Sequence, residues 1–513
     1  MMWLPLMMAT VTIVATAEVK GTPEPCGCNS DPLGDVARVA TLATGGLWLD
    51  AGSLLYDPEA MSVDRRPQAD ATAAQLAKIF GNLDVGLGAG DLPRGVAHVG
   101  PPRQACNVTG VPTAAPRVRV VDGVRIGVFG VVEPARLADA KSAGVSATAA
   151  AAAAKAAVAK LRKERAQIVV ALCGMSRTET RALVKGVPGI DFAVVGAEVG
   201  DGMAEPEPAG GGFIVAPADL ARYAAKLTVQ VHGAGKMQAF AGEPGRKLKL
   251  DRTDKRVADL KTQLAGFAKD ATADKTFVAA RQAELDGLVA ERAKLATQKL
   301  TPPPGSWFTY ELVPVNRKLA RDPAIAAQLK TLAHDIGQAN LAAAKGQAAP
   351  PAEPGQPSYV GDRECARCHK SQVEFWKHTV HAQAWKTLVD VDKQYNYDCI
   401  GCHVTGWQKP GGINLATVEA RNLTNVQCET CHGPGSKHVD ESGMESPHTM
   451  TRRPAERFCA DNCHTREHSD TFTLVPYLRD ILGKGHGAAA RARLGAGPTG
   501  HELRHKALEA AAH

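Results

Sequence analysis

The sequence predicts a multidomain protein with an α/β N-terminal domain, a helical middle segment and a mostly α-helical or irregular C-terminal domain. Short apolar runs alternate with helical segments in the first half of the chain, which is typical of an α/β sheet domain. Four Cys/His motifs lie in the last third, behind a Pro-rich stretch. The predicted segments are a signal peptide (1–17), the α/β domain (18–247), a helical, coiled-coil-like segment (248–345), a linker (346–358), the C-terminal domain (359–487) and a tail (488–513).

Length and charge set broad limits on the protein. Its 513 residues suggest about three domains of ordinary size. The formal net charge is only +7, and no basic cluster has interleaved aromatic residues. We therefore expect no nucleic-acid partner.

The N-terminus is predicted to be a secretory signal peptide. An apolar run over 3–17 ends in Ala15-Thr16-Ala17, which matches the A-x-A pattern of a cleavage site. The run is short for a membrane span, and an uncleaved anchor is the alternative. The signal peptide indicates an exported, periplasmic protein. No other long apolar segment follows, so we expect the mature form to have no membrane span and to be soluble or peripherally associated.

Six apolar runs of the α/β domain are predicted as buried strands and two segments as helices. The strands are Gly46–Asp50, Val85–Leu87, Val124–Val132, Ile168–Cys173, Phe192–Gly196 and Phe213–Ala216. The helices are Thr72–Phe80 and the Ala-rich Ala149–Arg165. Over residues 18–232 the blocks PCGCNSDPLGDVAR, LWLDAGSLL, VGLGAGDL, VRIGVFGVVEPA and DFAVVGAE resemble the metallophosphatase and 5′-nucleotidase family.

That resemblance implies a two-metal hydrolytic site, which needs a dense set of carboxylate and imidazole ligands. Asp50 fits a bridging carboxylate of the family. The other expected ligand positions hold residues that do not bind metals, namely Ala89, Gly90, Gly174, Ala197 and Val199. His98 and His232 lie outside the ligand blocks, and nothing before Cys26 offers an Asp-x-His pair. We therefore expect a degenerate hydrolase scaffold.

Four cysteines lie outside the C-terminal motifs, at Cys26, Cys28, Cys106 and Cys173. In an exported protein they could form disulfides. A bond between Cys26 and Cys28 would be strained, because only one residue separates them. Free thiols are the alternative.

The middle segment carries a heptad-like apolar seam at Val257, Leu260, Leu264 and Phe267. It predicts a helical hairpin with a scaffolding or self-association role. A strand over Trp307–Val313 follows. Asp322-Pro323 then starts a helix that runs to about Ala344.

The four C-terminal motifs carry the chemistry. Three have the form C-x-x-C-H, and the fourth has one extra residue between its cysteines. C-x-x-C-H is the attachment signature of a c-type haem, whose following His takes one axial position on the iron. Zinc binding and a redox pair are the alternatives, but neither requires a His directly after the second Cys. The predicted covalent sites are Cys365/Cys368, Cys399/Cys402, Cys428/Cys431 and Cys459/Cys463, with His369, His403, His432 and His464 as proximal ligands.

Each low-spin iron also needs a second axial ligand. The candidates are His378, His381, His438, His448, His468, His486, Met444 and Met450. Local context favours three of them: His381 between two tryptophans, His438 after a Gly-Pro-Gly turn, and His486 between glycines.

The stretches NYDCIGCHVTGW, NVQCETCHGPGSKH and CHTREHSDTF resemble the tetrahaem cytochrome c-554 family over residues 359–487. The resemblance implies His381, His438 and His486 as distal ligands and one haem without a strong sixth ligand. We expect that open haem to be the second, at His403. The longer fourth motif departs from the usual C-x-x-C-H spacing.

These features predict an exported tetrahaem cytochrome that transfers electrons between redox partner proteins and needs the haem attachment machinery. The iron would carry the redox chemistry, and no side chain would be catalytic. Reduction of small nitrogen oxides at the open haem is one alternative. A non-catalytic adaptor that docks a partner through the N-terminal domain is the other.

The mature protein is expected to carry four covalent haems. Its mass should exceed that of the apo chain by four haem masses, and a pyridine haemochrome assay should give the same count. Three haems would show that the site at Cys459/Cys463 is empty, and none would refute the haem interpretation.

Overall fold

The computed structural model describes residues 9–57, 61–232, 235–270 and 272–512. Its strands are β1 (Ala9–Thr16), β2 (Leu47–Asp50), β3 (Asp84–Val85), β4 (Arg103–Gln104), β5 (Val108–Thr109), β6 (Thr113–Ala114), β7 (Arg117–Val121), β8 (Val124–Val132), β9 (Ser146–Ala147), β10 (Ile168–Gly174), β11 (Phe192–Val195), β12 (Glu207–Ala209), β13 (Gly212–Val215), β14 (Tyr223–Val231), β15 (Gln238–Ala239) and β16 (Trp307–Pro314).

The α-helices cover the sheets and form most of the regular structure of the C-terminal domain. They are α1 (Val36–Leu42), α2 (Arg66–Ile79), α3 (Ala150–Lys163), α4 (Arg177–Gly186), α5 (Gly242–Phe267), α6 (Lys275–Thr297), α7 (Pro323–Ala344), α8 (Asp362–Cys365), α9 (Lys370–Trp376), α10 (Ala384–Val389), α11 (Tyr397–Ile400), α12 (Cys428–His432), α13 (Ser436–Asp440), α14 (Phe458–Asn462), α15 (Leu474–Ile481), α16 (Ala488–Ala492) and α17 (Gly500–Ala512).

Two six-stranded sheets form the α/β domain. The first has the order β15-β16-β14-β1-β2-β3 and the second the order β12-β13-β11-β10-β8-β7. The strands β8, β10, β11 and β13 run parallel, and antiparallel strands close both edges of their sheet. The inner faces of the two sheets share one apolar core. Helices α3 and α4 pack on the second sheet, and α1, α2 and α7 pack on the first. The predicted α/β fold is therefore confirmed.

The predicted strands are present with small shifts at their ends, since the six runs correspond to β2, β3, β8, β10, β11 and β13. The two predicted helices correspond to α2 and α3. Residues 9–16, which the prediction placed in the signal peptide, form the strand β1, which pairs with β14 on one side and β2 on the other. Val11, Ile13, Val14 and Ala15 are almost completely buried. Cleavage after Ala17 would remove a central strand from the first sheet. Residues 1–8 of the predicted leader lie outside the described part.

The boundary predicted at residue 247 is also different in the structure. Strand β16 pairs with β14 and so belongs to the first sheet, although the chain reaches it only after the helical segment. Helix α7 packs its Leu329, Leu332 and Ile336 against that same sheet and its helices. The hairpin of α5 and α6 has an apolar seam of its own, formed by the predicted residues Val257, Leu260 and Leu264 with Leu285 and Leu288.

The C-terminal domain is docked on the α/β domain by polar contacts. Asn340 of α7 donates to the Tyr395 carbonyl at 2.9 Å, and Gln68 of α2 donates to Asp398 at 2.6 Å. The Pro-rich linker is held along the C-terminal domain, because the Gly411 amide donates to the Pro350 carbonyl.

The predicted tail is helical and belongs to this domain, with α17 packed on α15. Within the described ranges, no helix has the length and apolarity needed to cross a membrane.

Because β1 is central, the folded protein should retain residues 9–17. Ile13→Asp should unfold the α/β domain, since Ile13 is fully buried and burying an aliphatic side chain is worth about 1.5–3 kcal/mol before any charge penalty. Thr10→Asp is the matched control, because Thr10 lies on the same strand and is exposed. Circular dichroism melting measures the difference. A folded, mature protein that begins at Glu18 by N-terminal sequencing would contradict this placement.

Candidate haem site

Short helices place the thiols of the last three motifs. The first Cys of the second motif is in α11, and the whole third motif, Cys428–His432, forms α12. One helical turn brings residues i and i+3 to the same side, so Cys428 and Cys431 point together. In the fourth motif the extra residue is absorbed where α14 ends at Asn462, just before Cys463. Seven of the eight motif cysteines are partly buried.

The eighth, Cys368 of the first motif, differs from Cys365 in its burial. The prediction treated Cys365 and Cys368 as an equivalent pair of attachment thiols. In the structure Cys365 ends α8, is partly buried and donates to the Gly361 carbonyl at 3.5 Å. Cys368 lies in the turn after the helix and is exposed. The physical reason is that α8 ends at Cys365, so its second thiol is not packed by a continuing helix. The pairing of Cys365 with Cys368 on one porphyrin therefore stays a prediction.

Two pairs of imidazoles face each other across gaps suited to an iron atom. The ring centres of His369 and His438 lie 6.3 Å apart with an interplanar angle of 18°. Those of His381 and His464 also lie 6.3 Å apart, at 36°. A metal held between two imidazoles, with metal–nitrogen bonds of about 2.0–2.1 Å, would separate the ring centres by roughly 6 Å. The side chains present therefore fit bis-histidine coordination of a haem iron.

A third pair is looser. His486 is close enough to His432 for the two charges to interact, and the pKa of His486 is lowered by burial and further by His432. His403 differs from the other proximal candidates. Among the described residues it makes no ring-to-ring contact with another histidine, and its electrostatic neighbour His381 already faces His464.

Hydrogen bonds orient several of these rings. The Nδ1 atom of His403 donates to the Ala384 carbonyl at 2.6 Å, and that of His432 donates to the Thr451 carbonyl at 2.7 Å. A carbonyl can only accept, so Nδ1 carries the proton and Nε2 has a free lone pair. His438 pairs through Nδ1 with the buried Glu445 carboxylate at 3.0 Å. Metal-binding histidines usually have such outer partners, which fix the tautomer and the ring direction.

Burial favours the neutral form of His381, His403 and His464, which is the form that metal binding requires. The pKa values of His381 and His403 are lowered chiefly by burial, and that of His464 falls to about 4 for the same reason. Neutral imidazole is the form that binds iron through its lone pair.

Thiols of different motifs are also in contact. The Cys365 thiol is hydrogen-bonded to Cys428, and the Cys402 thiol is hydrogen-bonded to Cys463. Cys431 and Cys459 are close enough for their charges to interact. The first motif thus adjoins the third, the third adjoins the fourth, and the fourth adjoins the second.

The remaining histidine candidates are placed differently. His378 is 79% exposed and His448 is 74% exposed, so both lie on the surface as expected. His468 was expected on the surface but is half-buried. It is hydrogen-bonded to Thr465 at 2.8 Å, and its charge interacts with Cys402.

Two glycines before His486 contact α9. Gly483 and Gly485 let the chain approach this helix closely, where a Cβ would meet the Phe375 ring or Gln372. The local sequence around His486 therefore reflects packing against α9.

One carboxylate holds the start of this domain together. Glu429, inside the third motif, is 1% exposed. Its oxygens accept from the amides of Val360, Gly361 and Gly435 at 2.7–3.1 Å. The third motif is thereby tied to the start of the domain and to the turn that precedes His438. Sequence patterns gave no signal for this role.

The region that resembles a hydrolase site is closed by internal contacts. Asp50 is fully buried, accepts from Thr16 Oγ1 at 2.7 Å and has a pKa raised to about 7 by burial. Glu18, which sequence reasoning overlooked, accepts from the amides of Glu198 and Val199 and pairs with Lys20 at 3.6 Å. Across the described residues, no three or more His, Cys, Asp or Glu side chains are grouped to hold a metal ion.

Comparisons with known proteins match the two halves separately. Residues 364–433 match the family model described as "Cytochrome c554 and c-prime". Cytochrome c-554 from Nitrosomonas europaea is 38% identical over 125 residues, which cover 20% of this chain and 53% of that protein. The chain thus spans about half the length of the curated relative it matches. The predicted resemblance of the C-terminal region is confirmed.

Solved structures similar to the chain include two hydrolases. The calcineurin-like phosphoesterase YfkN from Bacillus subtilis has a TM-score of 0.36 and 17% identity, covering 44% of this chain and 87% of that chain. A 5′-nucleotidase precursor from Thermus thermophilus has a TM-score of 0.40 and 16% identity. The match covers 69% of this chain and 61% of that chain.

We expect no phosphoester hydrolysis by the α/β domain, because Ala89, Gly90 and Ala197 replace the ligand-bearing residues that a two-metal site needs. The purified holoprotein should show no manganese-dependent 5′-nucleotidase activity. Activity that is abolished by Asp50→Asn would overturn this prediction.

Proposed function

We propose that the protein is a c-type cytochrome that transfers electrons between redox partner proteins through four covalent haems. The observation that carries the proposal is the pairing of histidines distant in sequence at a spacing suited to iron. The coarser conclusion, a haem-containing electron-transfer protein, is also supported by the similarity to cytochrome c-554. When bound, each haem supplies a one-electron ferric/ferrous couple.

The covalent sites proposed are Cys365/Cys368, Cys399/Cys402, Cys428/Cys431 and Cys459/Cys463. The axial pairs proposed are His369 with His438, His381 with His464, and His432 with His486, leaving His403 as the one ligand of the second haem. The protein would orient the imidazoles through hydrogen bonds at their Nδ1 atoms and exclude water from them by burial. It would also hold neighbouring haem motifs close to one another. Thiol contacts between motifs suggest a continuous order of first, third, fourth and second haem.

The compartment proposed is the periplasm, where c-type haem is attached in bacteria, with the attachment machinery as a necessary partner.

A second candidate function is reduction of small nitrogen oxides at the second haem. One observation favours it, since His403 has no facing histidine ring in the described structure. A ligand-dependent change in a high-spin spectrum on addition of nitrite or NO would support this activity. The adaptor alternative is less well supported, because the α/β domain uses part of its surface to hold the C-terminal domain.

Replacing His381, His438 or His486 with Ala should convert one further haem to high spin. The variant should also raise that haem's reduction potential, since the oxidised iron loses a strong donor. Electron paramagnetic resonance of the ferric protein measures the change, and His448→Ala is the control because that side chain is exposed.

Two outcomes would revise the ligand assignment. A new high-spin signal in His448→Ala but not in His381→Ala would refute it. A wild-type protein with no high-spin haem would mean that the second haem has a distal ligand, and loss of low-spin signal in His468→Ala would identify it.

A further inference from the structure

The loop over 25–29 contains a Cys-Gly-Cys sequence that the proposed haem chain does not use. Gly27 has φ of +75°, and nothing lies within 4 Å of the position of a Cβ there, so the chain can turn between the cysteines. The Cys28 amide donates to Cys26 Sγ at 3.2 Å, and the two thiols are hydrogen-bonded to each other. Cys26 is exposed and Cys28 is half-buried. The hydrogen bond from Cys28 lowers the pKa of Cys26 to about 6, which favours its nucleophilic thiolate form.

Three segments of the C-terminal domain hold this loop. Lys393 forms an ion pair with Glu24 at 2.8 Å. Asp470 accepts from the Ser30 amide at 3.1 Å. Arg504 of α17 donates to the Cys28 carbonyl at 2.7 Å. The loop of the α/β domain that carries the two thiols is therefore held against the C-terminal domain by contacts before and after the Cys-Gly-Cys sequence.

The thiols lie beside the second motif. The charge of Cys28 interacts with Cys399 and Cys402, and the charge of Cys26 also interacts with both of these thiols. Cys402 is in turn hydrogen-bonded to Cys463 of the fourth motif. A group bound to Cys399/Cys402 would be the nearest redox centre to this pair, and one at Cys463 would be next.

We propose that Cys26 and Cys28 form a dithiol–disulfide site that passes electrons from an external dithiol to the second haem. The inference rests on the proposed haem function and extends it to a substrate class. A disulfide closed over one residue is strained, and strained, exposed disulfides are the labile or catalytic ones. The strain noted from the sequence is therefore compatible with a redox role, although it disfavours a stable structural bond.

Electron transfer through the loop takes place in two stages, a thiol–disulfide exchange and the reoxidation of the loop. A thiolate of the external dithiol attacks Cys26 Sγ of the disulfide, and Cys28 leaves as the thiolate. The donor's second thiol then displaces Cys26, so the donor becomes a disulfide and the loop a dithiol. Reoxidation of the loop forms the Cys26–Cys28 bond and releases two protons to solvent and two electrons. Ferric haems held by Cys399/Cys402 and by Cys459/Cys463 would take up these two electrons, one each.

The test uses the full-length holoprotein with ferric haems, mixed anaerobically with dithiothreitol. We expect haem reduction, followed as growth of the ferrous α band, to be at least tenfold slower in Cys26→Ser and Cys28→Ser than in wild type. Cys106→Ser is the matched control and should keep the wild-type rate, because Cys106 is a half-buried thiol that packs against the internal core of the α/β domain and lies outside the loop.

Mass spectrometry after maleimide labelling gives a second readout. Cys26 and Cys28 should be labelled in the dithiol-treated protein and protected after the haems are reoxidised with ferricyanide. Equal reduction rates in all variants, or labelling that is independent of the haem state, would overturn the dithiol site. Dithionite separates this failure from failure of the haem proposal, since haems that are present and reducible by dithionite in every variant leave electron transfer intact.

Discussion

The approach of paired histidines from distant segments is the constraint around which the C-terminal domain is arranged. His381 lies before the second motif, yet it faces His464 of the fourth, so one iron would join segments far apart in the chain. Aliphatic packing could not do this alone, because the buried aliphatic cluster of the domain surrounds mainly the second motif. Cofactor binding would then supply part of the free energy of folding, as in other small domains whose core is built around a bound group.

The α/β domain illustrates how a scaffold is held together without the ligand residues of a hydrolase. Asp50 stays buried and hydrogen-bonded, and Glu18 is held by two backbone amides and Lys20. These contacts satisfy polar groups inside the fold, where an unpaired carboxylate would be costly. The domain instead contributes a surface to its neighbour through α2, α7 and the loop over 25–29.

Docking of the two domains connects the chemistry of the haem motifs to the rest of the chain. Glu24 and Ser30 contact the C-terminal domain at one point, and Asn340 contacts it at another. Two separate points of contact restrict rotation of one domain against the other. The relative position of the Cys-Gly-Cys loop and the second motif is therefore a property of the fold and not of a flexible linker.

The sequence by itself determined the parts whose chemistry is local: the alternation of β and α elements and the four Cys/His motifs. The sequence did not indicate the strand β1, because a short apolar run looks the same in a signal peptide and in a buried strand until its pairing partners are known. It also did not show that β16 joins the first sheet, because its partner β14 precedes a long helical insertion. The motif spacing did not show that α8 ends at Cys365. Tertiary structure alone decided which histidines face each other, since that depends on contacts between distant segments.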